Sequence, residues 1–408
     1  MKTKTMKINK SHKFNSFDFI TYLFIIIAFI IVYFLLSGGK LNNQQVGWII
    51  PVCCYMTMAI SLNLTVGILG ELSLGHAGFM SIGAFTGVVS YIAFSEAIPN
   101  TVLRVVISMI IGALMAAIFG FLIGIPVLRL NGDYLAIVTL AFGEIIKDII
   151  NCLYVGFDSK GLHFIFGAFS KKTAADLKLA DDGIVIINGA VGVSDLKLPS
   201  SSIAETIRAN AKASGTKIKA SVAKLEGNTV MFIIGAVLVL VSLIIILNFI
   251  RSRTGRAVMA IRDNRIAAES VGINVMRHKM IAFVISAALA GAAGTLYAMN
   301  MPTLQSTKFG FDTSILVLVF VVLGGLGNML GSMVAAALLY ILPELLREFS
   351  TYRMLIYAIV LIIVMLATNN PWLKNFISKI CSGIKSIFAK KNKKAAVADN
   401  ISGGDNNG

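Results

Sequence analysis

The chain alternates long apolar runs with short polar segments. A helix needs about 20 mostly apolar residues to cross a bilayer, because each residue adds roughly 1.5 Å and the hydrocarbon layer is about 30 Å thick. Eight runs of this length or more lack Asp, Glu, Lys and Arg. They cover residues 19–39, 41–70, 72–95, 105–128, 227–250, 280–307, 313–343 and 354–373. A ninth run, 134–155, is apolar but carries charged residues. The pattern predicts an all-α, polytopic bundle of about 8–10 membrane-spanning helices.

One of these runs, 313–343, is expected to be broken. Gly324, Gly325, Gly327 and Gly331 lie near its middle, and glycine weakens a helix. The segment is therefore either a re-entrant loop or a pair of short helices.

Composition and charge agree with a membrane protein. Hydrophobic residues make up 57% of the 408 residues and charged residues 14%, and the net charge is +16. The basic residues cluster in three segments, 1–18, 251–279 and 372–408, the last of which resembles an interfacial amphipathic helix. The positive-inside rule places all three segments, and so both termini, in the cytoplasm. We expect these charges to meet membrane lipid and not nucleic acid.

This membrane topology divides the chain into segments with different expected roles. They are a basic cytoplasmic tail (1–18), transmembrane helices 1–5 (19–153), an extracytoplasmic insertion (154–228), a transmembrane helix (229–250), a cytoplasmic loop (251–279), C-terminal transmembrane helices with the broken segment (280–371) and an amphipathic basic tail (372–408). The Ala-rich second half of the insertion, 200–227, has spaced charges and predicts a solvated helix in an external cap.

The sequence carries no motif for nucleotide binding or catalysis. It lacks G-x-x-x-x-G-K-[ST], H-E-x-x-H and G-x-S-x-G. Its four histidines are far apart, and no two of its four cysteines have metal-ligand spacing. We therefore expect no catalytic residue, no metal site and no cofactor on this chain. The functions that remain are a pore, a carrier, or the membrane subunit of a complex that another polypeptide drives.

The glycine-rich segment 67–79 joins two apolar runs. Glu71, Ser73 and His76 are polar side chains at the point where the chain turns back into the membrane. Irregular backbone at membrane depth occurs where protein or a water-filled cavity provides partners for its N–H and C=O groups. These residues therefore either line a solute pathway or belong to a cytoplasmic turn whose small residues allow close helix packing.

Two carboxylates, Asp133 and Glu144, lie 11 residues apart in an apolar setting. Asp133 is suited to cap a helix, and Glu144 would then lie roughly 16 Å along the axis, near the bilayer centre. A carboxylate there is costly, so it should face the protein interior or water. We expect Thr139 and Glu144 to belong to the pathway. An internal ion-pair cluster of Glu144 with Lys147 and Asp148 is the alternative.

The basic loop 251–279 carries the signals of a short capped helix. Asp263 or Asn264 can form its N-cap, and Gly272 can take the left-handed conformation after its end. Three apolar side chains lie in or just after this helix: Ile266, Val271 and Ile273. A short helix flanked by arginines is suited to docking into a groove of a soluble partner. A lipid-contacting anchor is the alternative, and it would not need caps.

These segments resemble the permeases of branched-chain amino-acid ABC importers, of the LivM type. The resemblance is carried by GELSLGHAGF (70–79), LNGDYLAIVTLAFGEI (130–145), SRTGRA (252–257), AAESVGIN (267–274), AFVISAALAG (282–291), LGGLG (323–327) and LPELLR (342–347). These motifs occur in the family's order and cover most of 48–366.

The resemblance implies a non-enzymatic subunit of the bacterial plasma membrane that carries leucine, isoleucine and valine, or else urea and short amides. It implies a second, related (LivH-like) permease, two cytoplasmic ATPase subunits that bind ATP and magnesium, and an extracytoplasmic solute-binding protein. It also implies a coupling helix within 251–272 that contacts the ATPase. The candidate coupling residues are Arg253, Gly255, Arg256, Arg262, Asp263, Glu269 and Gly272.

The insertion departs from the family pattern. Family members have a short Gly-rich stretch in place of 158–228, and 188–194 resembles that stretch between two insertions. Two other functions stay open from the residues alone. One is a self-sufficient carrier coupled to protons through Glu144, and the other is a membrane scaffold or receptor built around the insertion.

Overall fold

The computed structural model describes residues 16–39, 41–130, 132–158, 161–167, 174–177, 183–194, 198–213, 220–349, 352 and 355–362. The predictions for the C-terminal tail, for most of the N-terminal tail and for most of the run 354–373 lie outside these residues. The chain forms two compact units, 1–341 and 342–408. The site described below lies in the first. In the second, residues 355–362 are helical.

Helices make up most of the described chain. They are α1 (Ser16–Ser37), α2 (Asn43–Asn63), α3 (His76–Ala93), α4 (Thr101–Val127), α5 (Asp133–Asn151), α6 (Pro199–Ala213), α7 (Ala220–Arg251), α8 (Arg253–Asp263), α9 (Arg265–Ser270), α10 (Val275–Ala298), α11 (Phe311–Gly324) and α12 (Met329–Leu345). Within the described residues, six helical segments are long and apolar enough to cross a membrane: α2 with its continuation to Leu69, α3, α4, α7, α10, and Ser306–Gly324, which contains α11. The apolar parts of α1 and α12 are shorter. The predicted polytopic helical bundle is confirmed.

Helix α5 carries more charged residues than any of these six segments. It carries Asp133, Glu144, Lys147 and Asp148 within 19 residues. It begins at Asp133 itself, and Gly132 occupies the N-cap position that the sequence analysis assigned to Asp133. Because Gly132 has a φ of 59°, the chain enters this helix from a conformation that glycine adopts without strain.

Helix α10 lies at the centre of the bundle and packs against α2, α3 and α4. Small residues allow these contacts. A Cβ on Gly83 of α3 would lie 2.0 Å from the carbonyl oxygen of Gly291 in α10, and one on Gly294 would lie 2.0 Å from that of Met80. The hydroxyl of Thr295 also donates to the Gly83 carbonyl over 2.7 Å. Close backbone approach of this kind is typical of helix pairs in membranes.

The predicted break in 313–343 is confirmed. α11 ends at Gly324 and α12 begins at Met329, so the segment contains a pair of helices. Gly325 and Gly327 have φ values of 97° and 81°, which non-glycine residues rarely adopt. Gly331 lies inside α12, and a Cβ there would lie 1.9 Å from the carbonyl oxygen of Gly324, so its lack of a side chain allows the close approach of the two helices at the break.

The insertion contains a small sheet that the sequence analysis did not predict. Strands β1 (Leu153–Asp158), β2 (Gly161–Phe166) and β3 (Ile184–Asn188) form an antiparallel sheet in the order β2-β1-β3. Its inner strand β1 begins directly after α5 and pairs along its length with β2, from Leu153 opposite Phe166 to Asp158 opposite Gly161. The strands are only five or six residues long, so their alternation is short and easily missed in a polar segment.

The second half of the insertion is also not the single helix predicted over 200–227. α6 ends at Ala213, and α7 begins at Ala220 and continues into the membrane-spanning segment. The two helices pack closely, because a Cβ on Gly227 would lie 2.2 Å from the carbonyl oxygen of Ser200. The residues before 228 therefore extend a spanning helix, with α6 packed against that extension.

Candidate functional site

The segment between α2 and α3, which we call the break, is an irregular end of a membrane helix followed by the non-helical residues 70–75. After Asn63 the chain continues as a π-helix, Leu64–Leu69, and Gly70 ends it in the left-handed conformation with a φ of 80°. The carbonyl oxygen of Thr65 accepts hydrogen bonds from the N–H groups of both Gly70 and Glu71. π-helical turns are rare and are frequently found at functional sites.

Ser73 and His76 are buried at this break, each 1% exposed. Nε2 of His76 lies 2.7 Å from the hydroxyl of Ser61, which donates its only hydrogen to the carbonyl of Met58. With the Ser61 hydrogen on Met58, Nε2 of His76 is the donor of this pair and Nδ1 of His76 keeps its lone pair. Among the described residues, neither this Nδ1 nor the Ser73 hydroxyl has a hydrogen-bond partner. Buried polar atoms are normally paired, so these two need an explanation.

Thr139 fastens the same turn to α5. Its hydroxyl donates to the carbonyl of Ala136 (2.9 Å) and accepts from the N–H of Leu74 (3.0 Å). A Cβ on Gly75 would lie 2.2 Å from the carbonyl oxygen of Thr139, so only glycine allows this approach. The Thr139 hydroxyl is already bonded to the protein, and its direct effect is to position the turn.

Glu71, another predicted pathway residue, forms a buried ion pair with Lys279 at the start of α10. Their side chains are only 14% and 5% exposed. Charges buried this deeply depend on each other, because removal of either leaves the other without compensation. Glu71 therefore joins the break to the central helix of the bundle.

Glu144 is only partly buried, and it forms the ion pair with Lys147 that the sequence analysis left open as the alternative to a pathway role. One carboxylate oxygen pairs with Lys147, and the other accepts a hydrogen bond from the N–H of Phe311 (3.0 Å) at the start of α11. The Glu144 side chain is 35% exposed. The carboxylate thus satisfies a free N–H group of a helix N-terminus, where negative charge is favourable.

The two broken segments of the bundle meet at Asn63, which is fully buried. Its amide nitrogen donates to the carbonyl of Asn328 (3.1 Å) and the hydroxyl of Ser332 (2.8 Å), and its amide oxygen accepts from the N–H of Gly327 (2.8 Å). A Cβ on Gly67 in the π-helix would lie 2.3 Å from the nitrogen of Gly327. The π-helix and the α11–α12 break are therefore in direct contact.

The basic loop reaches the same place through Arg262. Its Nη1 donates to the carbonyl of Gly67 over 2.8 Å, and its Nε and Nη2 donate to Asp263. A Cβ on Gly70 would lie 2.6 Å from Cγ of Arg262, so the side chain lies tightly against the end of the π-helix. Arg262 therefore connects the end of α8 with the broken part of α2.

The loop itself contains two capped helices, α8 and α9. The hydroxyl of Ser252 accepts from the N–H of Gly255 at the start of α8, and the side chain of Asn264 accepts from the N–H of Ala267 at the start of α9. Gly272, with a φ of 86°, follows the end of α9. The prediction of a capped helix in this loop is confirmed, and Asn264 is its N-cap.

Two apolar side chains of the loop are largely exposed. Ile266 is 80% exposed and Val271 is 81% exposed. Ile273, by contrast, packs against the small cluster that contains Ile261. This apolar pair, one residue in α9 and one just after it, lies in a strongly basic loop whose arginines at 253 and 256 are also exposed.

The polar groups of the site are suited to holding backbone segments and to transient binding. Within the described parts of the chain, no three His, Cys, Asp or Glu side chains come together as metal ligands.

Comparison with known proteins identifies the family. Residues 44–366 match the family model of the permease component of the branched-chain amino acid transport system. The chain belongs to this family. The high-affinity branched-chain amino acid transport system permease protein LivM of Escherichia coli K12 is 33% identical over 321 residues, and that of Salmonella typhimurium LT2 is 32% identical over 324 residues. Each match covers 76% of this chain and 66% of the relative, just under two thirds of its length.

A more distant likeness is partial. The fructose import permease protein FruG of Bifidobacterium longum is 30% identical over 128 residues, which is 30% of this chain and 38% of that protein. No solved structure matches the chain.

Three residues that the sequence analysis did not select hold the site of this permease together. Asn63 bridges the two breaks, and Lys279 pairs with Glu71. The N–H group of Phe311 donates a hydrogen bond to Glu144. A buried amide within a membrane run marks a functional position by default, so Asn63 could have been selected. Lys279 and Phe311 gave no such signal, because their partners are more than 150 residues away.

Proposed function

We propose that this permease is the transmembrane subunit of an ABC importer for leucine, isoleucine and valine in the bacterial plasma membrane. Its partners are a second, related permease, two ATPase subunits that bind ATP and magnesium, and an extracytoplasmic solute-binding protein. The α8–α9 loop and both termini face the cytoplasm. The similarity to LivM proteins over 76% of the chain supports the solute class.

The contact that supports this function best is the hydrogen bond from Arg262 to the Gly67 carbonyl. It joins the loop with an exposed apolar pair to the π-helix at the end of a segment that is long and apolar enough to span the membrane. A π-helical carbonyl is a suitable point of attachment, because its normal helical bonding is already interrupted. Movement of the loop then acts directly on the break.

The mechanism is non-covalent. Closure of the ATPase subunits moves α8 and α9, and Arg262 transmits the movement to Gly67. Asn63 passes it on to Gly327 and the α11–α12 break, so both interrupted segments shift together. Such rigid-body rocking around broken helices is a common form of alternating access.

The five predicted pathway residues have different roles in this mechanism. Ser73 and His76 retain unpaired polar atoms at the break and offer transient contacts to the solute. Glu71, Thr139 and Glu144 position the segments around it, because their polar atoms are already bonded within the protein. A proton-coupled carrier driven by Glu144 is less well supported, since that carboxylate is held by Lys147 and a helix N-terminus.

The transport assignment predicts ATP-dependent uptake of labelled leucine by vesicles that contain the full complex. Vesicles with this chain alone should accumulate nothing, because the chain has no nucleotide-binding motif. Uptake of urea in place of leucine would change the solute class and keep the importer assignment. Accumulation by the chain alone under a proton gradient would contradict the importer, and absence of any flux would favour a scaffold.

The docking role of α9 predicts that Ile266→Asp with Val271→Asp weakens binding of the ATPase subunits about tenfold or more. Each large apolar side chain contributes roughly 1.5–3 kcal/mol when it is fully buried at an interface. The dissociation constant can be measured with the detergent-solubilised permease and the purified ATPase.

The matched control is Ile184→Asp, which places the same charge on a side chain that is 59% exposed in strand β3 of the insertion. We expect it to leave ATPase binding unchanged. Equal binding by the α9 double variant and the control would remove the basis for docking at α9.

A further inference from the structure

An apolar groove lies between α4 and α10, outside the site described above, with a volume of about 740 Å³. Phe121 and Ile125 of α4 form one wall, and Met280, Ile281 and Ile285 of α10 form the other. Both walls belong to helices that are long and apolar enough to span the membrane.

Glycines in α4 produce this groove. A Cβ on Gly124 would lie 2.6 Å from Sδ of Met280, and one on Gly120 would lie 2.6 Å from Cβ of Ala287. The helices therefore meet along the glycines, and the larger side chains next to them, Phe121 and Ile125, stand at the rim, 51% and 38% exposed. A furrow open to the membrane is the result.

Two arginines, Arg129 and Arg277, line the groove just beyond the end of α4 and in the first turn of α10. Both are exposed, and no carboxylate of the described chain forms an ion pair with either. The Arg277 N–H is already bonded to the side chain of Asn274, so the guanidinium is its available donor group. A guanidinium presents a planar set of donors that matches phosphate oxygens.

We propose that this groove binds an anionic phospholipid. The phosphate lies between Arg129 and Arg277, and one acyl chain lies along Phe121, Met280 and Ile285. Charge complementarity determines the head group, because two unpaired cations at the membrane surface favour anionic over zwitterionic lipid. The apolar wall determines that the ligand is a lipid, since a free phosphate would leave the apolar side chains of this wall uncovered. The site requires only that α4 and α10 span a membrane, so it does not depend on the solute carried.

The test uses Phe121→Trp as a reporter in the full chain, in vesicles of brominated phosphatidylglycerol or brominated phosphatidylcholine mixed with unlabelled lipid. Bromine quenches an adjacent indole, and emission of the protein without this substitution is subtracted. We expect the phosphatidylglycerol to be preferred about tenfold in quenching titrations. Arg129→Gln with Arg277→Gln should remove the preference, whereas Arg129→Lys with Arg277→Lys should keep most of it.

The matched control is Arg253→Gln with Arg256→Gln, which removes the same charge from α8 and should leave the preference unchanged. Equal quenching by the two lipids, or a preference that survives in the Gln pair at 129 and 277, overturns the proposal. Loss of the preference on addition of inorganic phosphate at constant ionic strength assigns the arginines to a free anion and also overturns it. Complete protection from both lipids once a partner permease is bound assigns the groove to a protein contact and likewise overturns the proposal.

Discussion

Gly83→Ala should lower the free energy of unfolding by about 3 kcal/mol, because overpacking a closely packed contact costs roughly this amount. The new methyl group would lie 2.0 Å from the Gly291 carbonyl oxygen and 2.4 Å from its Cα, and both are backbone atoms that cannot rotate away. Separation of the helices would also stretch the bond from Thr295 to the Gly83 carbonyl. The measurement is the thermal unfolding transition of the purified permease in detergent.

Gly47→Ala is the matched control for this substitution. A Cβ at Gly47, in α2, meets nothing within 4 Å. Since alanine favours a helix over glycine by about 0.5–1 kcal/mol, this variant should be as stable as the original chain or slightly more so. If Gly83→Ala and Gly47→Ala unfold at the same temperature, α3 and α10 are not in close contact at Gly83.

The second large effect concerns the buried ion pair of Glu71 and Lys279. Lys279→Met should destabilise the protein by about 3–5 kcal/mol, because it leaves the Glu71 carboxylate buried without its cation. Glu71→Gln combined with Lys279→Met should restore a large part of this loss, since no charge is then left uncompensated. A double-mutant cycle from thermal unfolding gives the interaction energy.

An exposed ion pair provides the control for the cycle. Arg265 and Glu269 form an i, i+4 pair on α9 in which both side chains are about half exposed. Glu269→Gln should cost no more than about 0.5 kcal/mol, because exposed helical pairs contribute little. If the stability losses of the single Glu71 and Lys279 variants simply add in the double variant, the two charges do not depend on each other.

The candidate site could be predicted from the sequence where the signal is local. The break after Gly324 follows from clustered glycines, and the Asn264 cap follows from a side chain bonding an N–H three residues away. For Glu144, the sequence indicated Lys147, one turn away, as a partner, and the structure shows this pair. The other partner of Glu144, Phe311, comes from a distant helix, and no spacing along α5 contains that information.

The sequence by itself determined that this protein is a polytopic helical permease. Lengths of apolar runs and short motifs are local properties, and the membrane requires each run to satisfy its own backbone hydrogen bonds within a helix. Only the tertiary structure decided which polar groups meet. Asn63 reaches Gly327, Arg262 reaches Gly67, and each pair is separated by almost 200 residues or more. Contacts over such separations depend on how the helices pack, which no local pattern specifies.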